Sequence, residues 1–288
     1  MLVDISQQQK ERLFFVEFRL YFYGELKRSD LIDRFGIKEA AATRDISQYK
    51  ALRPENIEYN SRNKIYEIGY SFIPVFEHNS LQVLSGLSKG LGDDYPGVGR
   101  SLITCETPIQ LNQPKVDTIA VISRAIHNNE LVEVNYCSHS SGKSRRVIAP
   151  FALVDNGFRW HIRAFDRKRG RFTDFVLTRI TKPKLVEGVV EEAELKEQDI
   201  QWNRIVQLEI VPHPNLKYPD TTTLDFGMEN GVLSVNLRAA VAGYALQRWN
   251  VDCSEGHILD HRQHHLWLRN RAALYGVESV DLAPGYNS

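Results

Sequence analysis

With 288 residues, 42% of them hydrophobic and 25% charged, the chain is long enough for two or three units that each bury a core, and its composition excludes a fibrous or disordered chain. No apolar run reaches the roughly 18 residues of a membrane span, and MLVDISQQQKERLFF lacks the basic, apolar, small-residue order of a secretion signal, so we expect a cytoplasmic protein with no membrane partner. The three cysteines, Cys105, Cys137 and Cys253, are odd in number and scattered, which argues against a disulfide framework.

The formal net charge of zero conceals an uneven distribution. Residues 1–80 hold 12 Lys and Arg against 12 Asp and Glu, and residues 81–117 hold 3 against 4. Residues 118–182 hold 12 against 5, a net +7, while 183–288 hold 9 against 15, a net −6. The basic middle meets an anion, or it is a solvated face beside an acidic neighbour, which uses the same charges.

In chain order, residues 10–23 (KERLFFVEFRLYFY) read as a strongly apolar helix and 29–35 (SDLIDRF) as a short second one whose free N–H groups Ser29 can cap. Gly36 permits the turn into a third helix over 38–52. On it Ala42, Ile46 and Tyr49 recur at spacings of four and three and face the other helices, which turns Ala40, Arg44, Ser47 and Gln48 outward. A helix, a tight turn and a helix with small and hydrogen-bonding residues outside suit entry into a major groove. Residues 56–69 (NIEYNSRNKIYEIG) then read as a hairpin with Arg62 and Lys64 at its tip, a wing suited to phosphate or minor-groove contact. The candidate DNA contacts are Arg28, Ser29, Lys38, Ala40, Thr43, Arg44, Ser47, Gln48, Arg62 and Lys64. Residues 81–115, rich in Gly, Pro, Asp and Asn, read as a linker.

Residues 116–190 read as a small β-rich domain entered through a helix over 116–127, with strands near 131–137, 145–154, 159–165 and 172–180. Along FRWHIRAF, alternation puts Phe158, Trp160, Ile162 and Ala164 on one side, the core side, and Arg159, His161, Arg163 and Phe165 on the other. The turn DRKRG folds this strand against RFTDFVLTRI and sets Arg179 beside Arg163 and Arg159. Tyr136, Ser138, His139, Arg145 and Arg146 add donors and a ring, so the expected ligand surface comprises Tyr136, Ser138, His139, Arg145, Arg146, Arg159, His161, Arg163 and Arg179. Guanidiniums pair with phosphate oxygens, and Tyr136 or Phe165 can stack a base. His161 would make such binding depend on pH near neutrality. A plain solvated face accounts for the same residues.

A charged bridge leads to a last α+β unit over 200–288, with strands near 206–211 and 231–237 and a helix over 240–249 (AVAGYALQRW) that is a candidate for pairing two chains. Cys253, His257, His261, His264 and His265 have spacings that a metal could use, but no CxxC or HExxH accompanies them, and a surface cluster is the simpler reading. No GxSxG, GxxxxGK or paired carboxylates support an enzyme, and we expect no cofactor and no metal.

The order ELKRSDLIDRFGIKEAAATRDISQY, then NIEYNSRNKIY, then a basic β-domain with RWHIR and FVLTRI, resembles the WYL-domain transcriptional regulators, in particular the BrxR/CapW type associated with bacterial anti-phage defence, over essentially the whole chain. The resemblance implies an α+β multidomain fold: a winged helix-turn-helix over 1–80, an Sm-like β-barrel WYL domain and a C-terminal dimerisation domain. It implies a homodimeric repressor that binds an inverted-repeat operator in double-stranded DNA, with a nucleotide or oligonucleotide effector on the WYL domain. The naming motif falls on Trp160, His161 and Ile162; His161 replaces the usual Tyr and Ile162 the usual Leu. Lys38 stands where Ser or Thr often begins the recognition helix. Two other classes remain open from sequence: a nucleic-acid-binding accessory protein that acts mainly through the basic domain, and a metal-dependent enzyme built on the C-terminal histidines.

Overall fold

The computed structural model describes residues 5–89 and 111–287 and divides into two compact units. One contains the described residues of Met1–Phe151 with Asp166–Arg169 and Leu177–Val189; the other contains Ala152–Phe165, Gly170–Val176 and the described residues of Val190–Ser288. Residues 90–110 of the expected linker, with Cys105, lie outside the described residues.

The first unit opens with α1 (Gln7–Phe18), which continues as a π-helical turn over Arg19–Tyr23 and stops at Gly24, where φ is 83° and a side chain would be strained. The short β1 (Glu25–Leu26) leads to α2 (Arg28–Phe35) and α3 (Glu39–Leu52), then to the hairpin β2 (Ile57–Asn60) and β3 (Ile65–Ile68). The expected inward face of α3 is buried: Ala42, Ile46 and Tyr49 pack with Leu13, Val16, Leu31 and Ile57 in one cluster. Ser29 does not cap α2. The helix starts one residue earlier, at Arg28, and the Asp30 carboxylate accepts the Lys27 N–H at 2.8 Å, which leaves Ser29 exposed inside the first turn. The hairpin joins β1 in a three-stranded sheet of order β1-β3-β2, with Ile57 opposite Ile68 and Tyr59 opposite Tyr66.

The stretch expected as a linker begins with a helix, α4 (Ser80–Lys89). Its Gly and Ser content suggests a loop, but Asn79 Oδ1 accepts the N–H groups of Leu81 and Gln82, and Val83 and Leu84 bury themselves. The next helix, α5 (Val116–Asn128), is tied to the N-terminal helices: Tyr21 Oη donates to Asp117 at 2.7 Å, Ser123 Oγ to the Phe22 carbonyl at 2.7 Å and Arg124 to the Tyr21 carbonyl at 2.7 Å.

Five strands follow: β4 (Leu131–Ser138), β5 (Gly142–Asp155), β6 (Trp160–Asp166), β7 (Arg171–Val176) and β8 (Ile180–Val186), in the sheet order β7-β6-β5-β4-β8. The first unit holds the β8-β4-β5 half, and the second holds the far part of β5 with β6 and β7. Two expectations change here. Residues 172–180 are not one strand, because a 3₁₀ turn at Leu177–Arg179 ends β7 and β8 then pairs with β4. The order also has two ends, β7 and β8, so the strands show no closed Sm-like barrel among the described residues.

The second unit adds α6 (Ile200–Asn203), β9 (Ile205–Pro212), α7 (Pro219–Asp225), β10 (Leu233–Arg238), α8 (Ala239–Arg248), β11 (Val251–Asp252) and β12 (Leu266–Leu268), with a sheet of order β10-β9-β12-β11. The helix expected to pair two chains is engaged within its own. Ala239, Ala242 and Leu246 of α8 lie in the core of this unit, and a Cβ on Gly243 would fall 1.8 Å from the Ser279 carbonyl oxygen.

Candidate nucleic-acid interface

The outward side of α3 presents Ala40, Arg44 and Ser47 to solvent. Its start carries no side-chain cap at Lys38, and Thr43 Oγ1 donates back to the Glu39 carbonyl at 2.9 Å. Gln48 is half-buried because α1 reaches it: Gln9 Nε2 donates to Gln48 Oε1 at 2.6 Å. Beside it the buried Asp45 takes Arg12 Nε at 2.5 Å, which locks α1 to α3. The wing tip is ordered by Asn60, whose Oδ1 accepts the N–H groups of Arg62 at 3.0 Å and Asn63 at 3.2 Å. Arg62 and Lys64 are exposed there, and Lys64 sits in the left-handed region at φ 56°. Between the wing and α2 lies a cleft of about 390 Å³ lined by Lys27, Arg28, Ser29, Glu39, Tyr59 and Lys64. Arg28 is held in it by hydrogen bonds to Tyr66 and Glu39, which raise its basicity.

Glu17, which nothing in the sequence marks, holds this domain together from inside. Fully buried, its carboxylate accepts Tyr49 Oη at 2.9 Å and the N–H groups of Val75 at 2.7 Å and Phe76 at 2.9 Å, with His78 Nε2 at 2.9 Å. Four partners satisfy the charge that burial would otherwise make costly.

The expected ligand surface comes apart. In the first unit, Arg146 is buried and donates to Asp166 at 2.8 Å, whereas Arg145 next to it is 72% exposed and paired with Glu133. Tyr136 and Ser138 are half-buried, His139 is exposed, and Arg179 is half-buried in the 3₁₀ turn beside β8 instead of on a strand flanking β6. In the second unit, Trp160 is 8% exposed, as expected of a core residue, but His161 at 2% and Arg163 at 4% are equally enclosed. Both sides of β6 are covered, so its cations form neither a solvated face nor an open ligand surface. Arg163 Nε donates to Asp199 at 2.7 Å and Nη1 to Asp174 at 3.3 Å, and the His161 ring packs 4.9 Å from that of Tyr244. Burial opposes the charge on Arg163, but the hydrogen bonds of Asp199 and Asp174 outweigh it and hold the guanidinium above its ordinary value. Arg159 is half-buried, Phe158 lies exposed in the turn before β6, and Phe165 packs edge-on against Phe172 at 5.1 Å.

Three family descriptions match the chain in this order: the BrxR transcriptional regulator winged helix-turn-helix domain over residues 8–86, the WYL domain over 117–185 and the BrxR transcriptional regulator C-terminal dimerization domain over 205–274. The DNA-binding transcriptional repressor CapW of Escherichia coli (strain KTE188) is 31% identical over 278 residues, which cover 93% of this chain and 91% of that protein. CapW of Pseudomonas aeruginosa is 34% identical over 254 residues, covering 85% and 83%. The chain belongs to the BrxR/CapW family of WYL-domain transcriptional regulators.

In this BrxR/CapW chain the naming motif, Trp160, His161 and Ile162, is a packing feature, with all three side chains buried. The acceptors that neutralise the buried arginines, Asp166, Asp174 and Asp199, were not legible as partners, because Asp199 lies 36 residues from Arg163. Nor was the His213–Asp252 contact, 3.2 Å between two fully buried side chains. The histidine-rich stretch does not converge on a metal site: no group of three or more His, Cys, Asp or Glu is placed to hold an ion among the described residues. Cys253 is buried with its thiol pushed up to about 12 by desolvation, while the rings of His257 and His261 flank His213 at 5.9 and 6.1 Å.

Proposed function

We propose that this chain is a homodimeric, sequence-specific DNA-binding transcriptional repressor that reads an inverted-repeat operator. The observation that carries this is the exposed line of Ala40, Arg44 and Ser47 on α3, whose opposite side is core, next to a wing that ends in Arg62 and Lys64. The family match adds a C-terminal dimerization domain, and a two-fold dimer presents two such helices to half-sites one helical turn apart. Direct contacts come from Lys38, Ala40, Thr43, Arg44 and Ser47 in the major groove, with Arg28, Ser29, Arg62 and Lys64 on the backbone; Gln48, Thr43 and Arg28 already have partners within the protein, in Gln9, the Glu39 carbonyl, and Tyr66 with Glu39.

The domains run 1–80, 116–190 and 200–288, with the operator in front of an anti-phage defence operon. A phosphate-bearing effector on the WYL domain changes the relative placement of the two winged helices; for release it must bind the DNA-incompetent arrangement more tightly, and about 1.4 kcal/mol of preference shifts the equilibrium tenfold. Its contacts come from the accessible members of the expected set in the first unit, Tyr136, Ser138, His139, Arg145 and Arg179, since Arg146, His161 and Arg163 are enclosed.

Genomic fragments bound to the purified protein, once sequenced, should share a palindrome. Arg44→Ala should weaken binding to that palindrome by about 1–3 kcal/mol and relax its sequence preference at one position per half-site. Unchanged affinity and preference in Arg44→Ala would remove α3 from the groove and the proposal with it.

A further inference from the structure

The α3 helix opens with a carboxylate. Of the two in that helix, Asp45 is buried and taken up by Arg12, whereas Glu39, the first helical residue, is exposed beside Ala40. The Glu39 side chain accepts a hydrogen bond from Arg28 Nη1 of α2 and is still 70% exposed. It lines the cleft between the wing and α2, where the other charged lining residues, Lys27, Arg28 and Lys64, are cations. A carboxylate in a first turn favours the helix, and a surface pair with arginine adds little to that. Those effects explain its place in the fold. On the face that meets DNA, however, the same charge repels the phosphates of every sequence, and only a duplex with a matching donor compensates for it.

We propose that Glu39 is a specificity-determining residue, whose carboxylate accepts a hydrogen bond from the amino group of one cytosine per half-site in the major groove. The inference rests on the reading of α3 as the helix that enters the groove, and it names a base contact that the small and hydrogen-bonding residues of that helix do not supply. An ionised carboxylate only accepts. On the major-groove edge guanine offers N7 and O6 and thymine offers O4, all acceptors that repel it. Adenine sets its amino group next to the N7 acceptor, whereas cytosine offers an amino group without such a neighbour. Cytosine is therefore the base that best repays the charge. The position suits this contact, because a recognition helix directs its N-terminal residues at base edges. Arg28 is a positioning residue here: it fixes the carboxylate from α2 and offsets part of its charge as Glu39 approaches a polyanion. Arg44, five residues further along α3, meets a different base pair.

The test is selection of a randomised DNA duplex pool by the full-length parent, Glu39→Gln, Glu39→Ala and Arg44→Ala, with the bound pools sequenced. The parent should select a cytosine at one symmetric position in each half-site. Glu39→Gln should select adenine there, since a Gln amide pairs with N6 and N7, and Glu39→Ala should select no base there while the rest of the motif stays as it is. In titrations of single duplexes, thymine in place of that cytosine should weaken the parent about tenfold and Glu39→Ala less than about twofold. Glu39→Gln keeps the size of the side chain and decides the matter if Glu39→Ala loses the start of α3. Glu39 variants that keep the parent's motif, or that gain affinity equally for all sequences, would make the carboxylate a general repeller of phosphate and overturn the proposal. Arg44→Ala should relax a different position. If it does so while the Glu39 variants retain the full motif, this inference fails and the operator reading stands; if none of the three changes the motif, both fail.

Discussion

Arg163 and Asp199 form a two-point pair inside the second unit: Nε donates to Oδ2 at 2.7 Å and Nη2 to Oδ1 at 3.1 Å. Both side chains are all but closed to solvent, and Asp174 adds a further bond while receiving Tyr244 Oη at 3.0 Å. An arginine so placed is structural, and its removal leaves buried carboxylates without a partner. Arg163→Glu should therefore cost about 3–5 kcal/mol of stability, a large share of what a domain has, and lower the urea midpoint of the C-terminal unit. An exposed ligand contact would instead lose effector response at unchanged stability. A variant with the parent's urea midpoint would show that the pair is dispensable.

That pair also marks where the sequence stops being legible. Helical spacing found α3 and its inward residues Ala42, Ile46 and Tyr49, since one face of one helix is a local pattern. Alternation along residues 158–165 put Phe158, Trp160, Ile162 and Ala164 on a core side; it fails for Phe158, exposed before the strand begins at Trp160, and within the strand it cannot say what covers the second side. The cover is α8, through Tyr244, and the acceptors are Asp174 and Asp199; these are decisions of tertiary structure between segments far apart in the chain. The same blindness placed Arg145 and Arg146 together. Neighbours in a strand point to opposite faces, so one is solvated and the other paired with Asp166.

The wing should behave as a backbone contact. Arg62→Ala should lower operator affinity by a similar factor on all sequences and reduce the salt slope by about 0.9. For Lys64 the informative change is Lys64→Gly, because the backbone at φ 56° favours glycine and the charge is removed without strain. It should give the same reduction in slope with stability equal to or above that of the parent. A change in sequence preference without a change in slope would instead make the wing a reader of bases.

Acid should weaken the C-terminal unit through His213. Burial holds its pKa below the ordinary value of 6.5 despite the contact with Asp252, and the nearby His257 and His261 push in the same direction. Nδ1 accepts the Asn215 N–H at 3.2 Å, which leaves Nε2 as the protonated nitrogen that donates to Asp252. A histidine whose folded pKa is depressed binds fewer protons folded than unfolded, so its stabilisation is complete above about 6.5 and is lost as pH falls below that value. Asp252 opposes its own burial with hydrogen bonds from Ser254, Leu259 and His213 and is held below 3.8, so its contribution is likewise lost on acidification, at lower pH. Melting midpoints should fall between pH 7 and 5 in the parent and change less over that window in His213→Gln. Parallel pH profiles for the two proteins would rule out the histidine as the source.

Two chains should meet around α7. With α8 engaged in its own core, the large exposed apolar side chains in and next to this short helix are Tyr218, Leu224 and Phe226, and Leu224 is 82% exposed. Exposed apolar groups of this size, close together in sequence, mark a contact, and the segment lies inside the matched dimerization domain. Asp at both Leu224 and Phe226 would bury two charges in such a contact, so Leu224→Asp with Phe226→Asp should weaken self-association by well over tenfold. Because neither side chain belongs to the core cluster of its own unit, the melting midpoint measured at a concentration where both proteins are monomeric should be unchanged. Light scattering over a dilution series reads the association directly. Operator binding should fall with it, since two half-sites held by separate monomers lose the gain in effective concentration that a dimer supplies. A double variant that still scatters as a dimer would move the interface elsewhere, with the free edge of β10 as the next place to look.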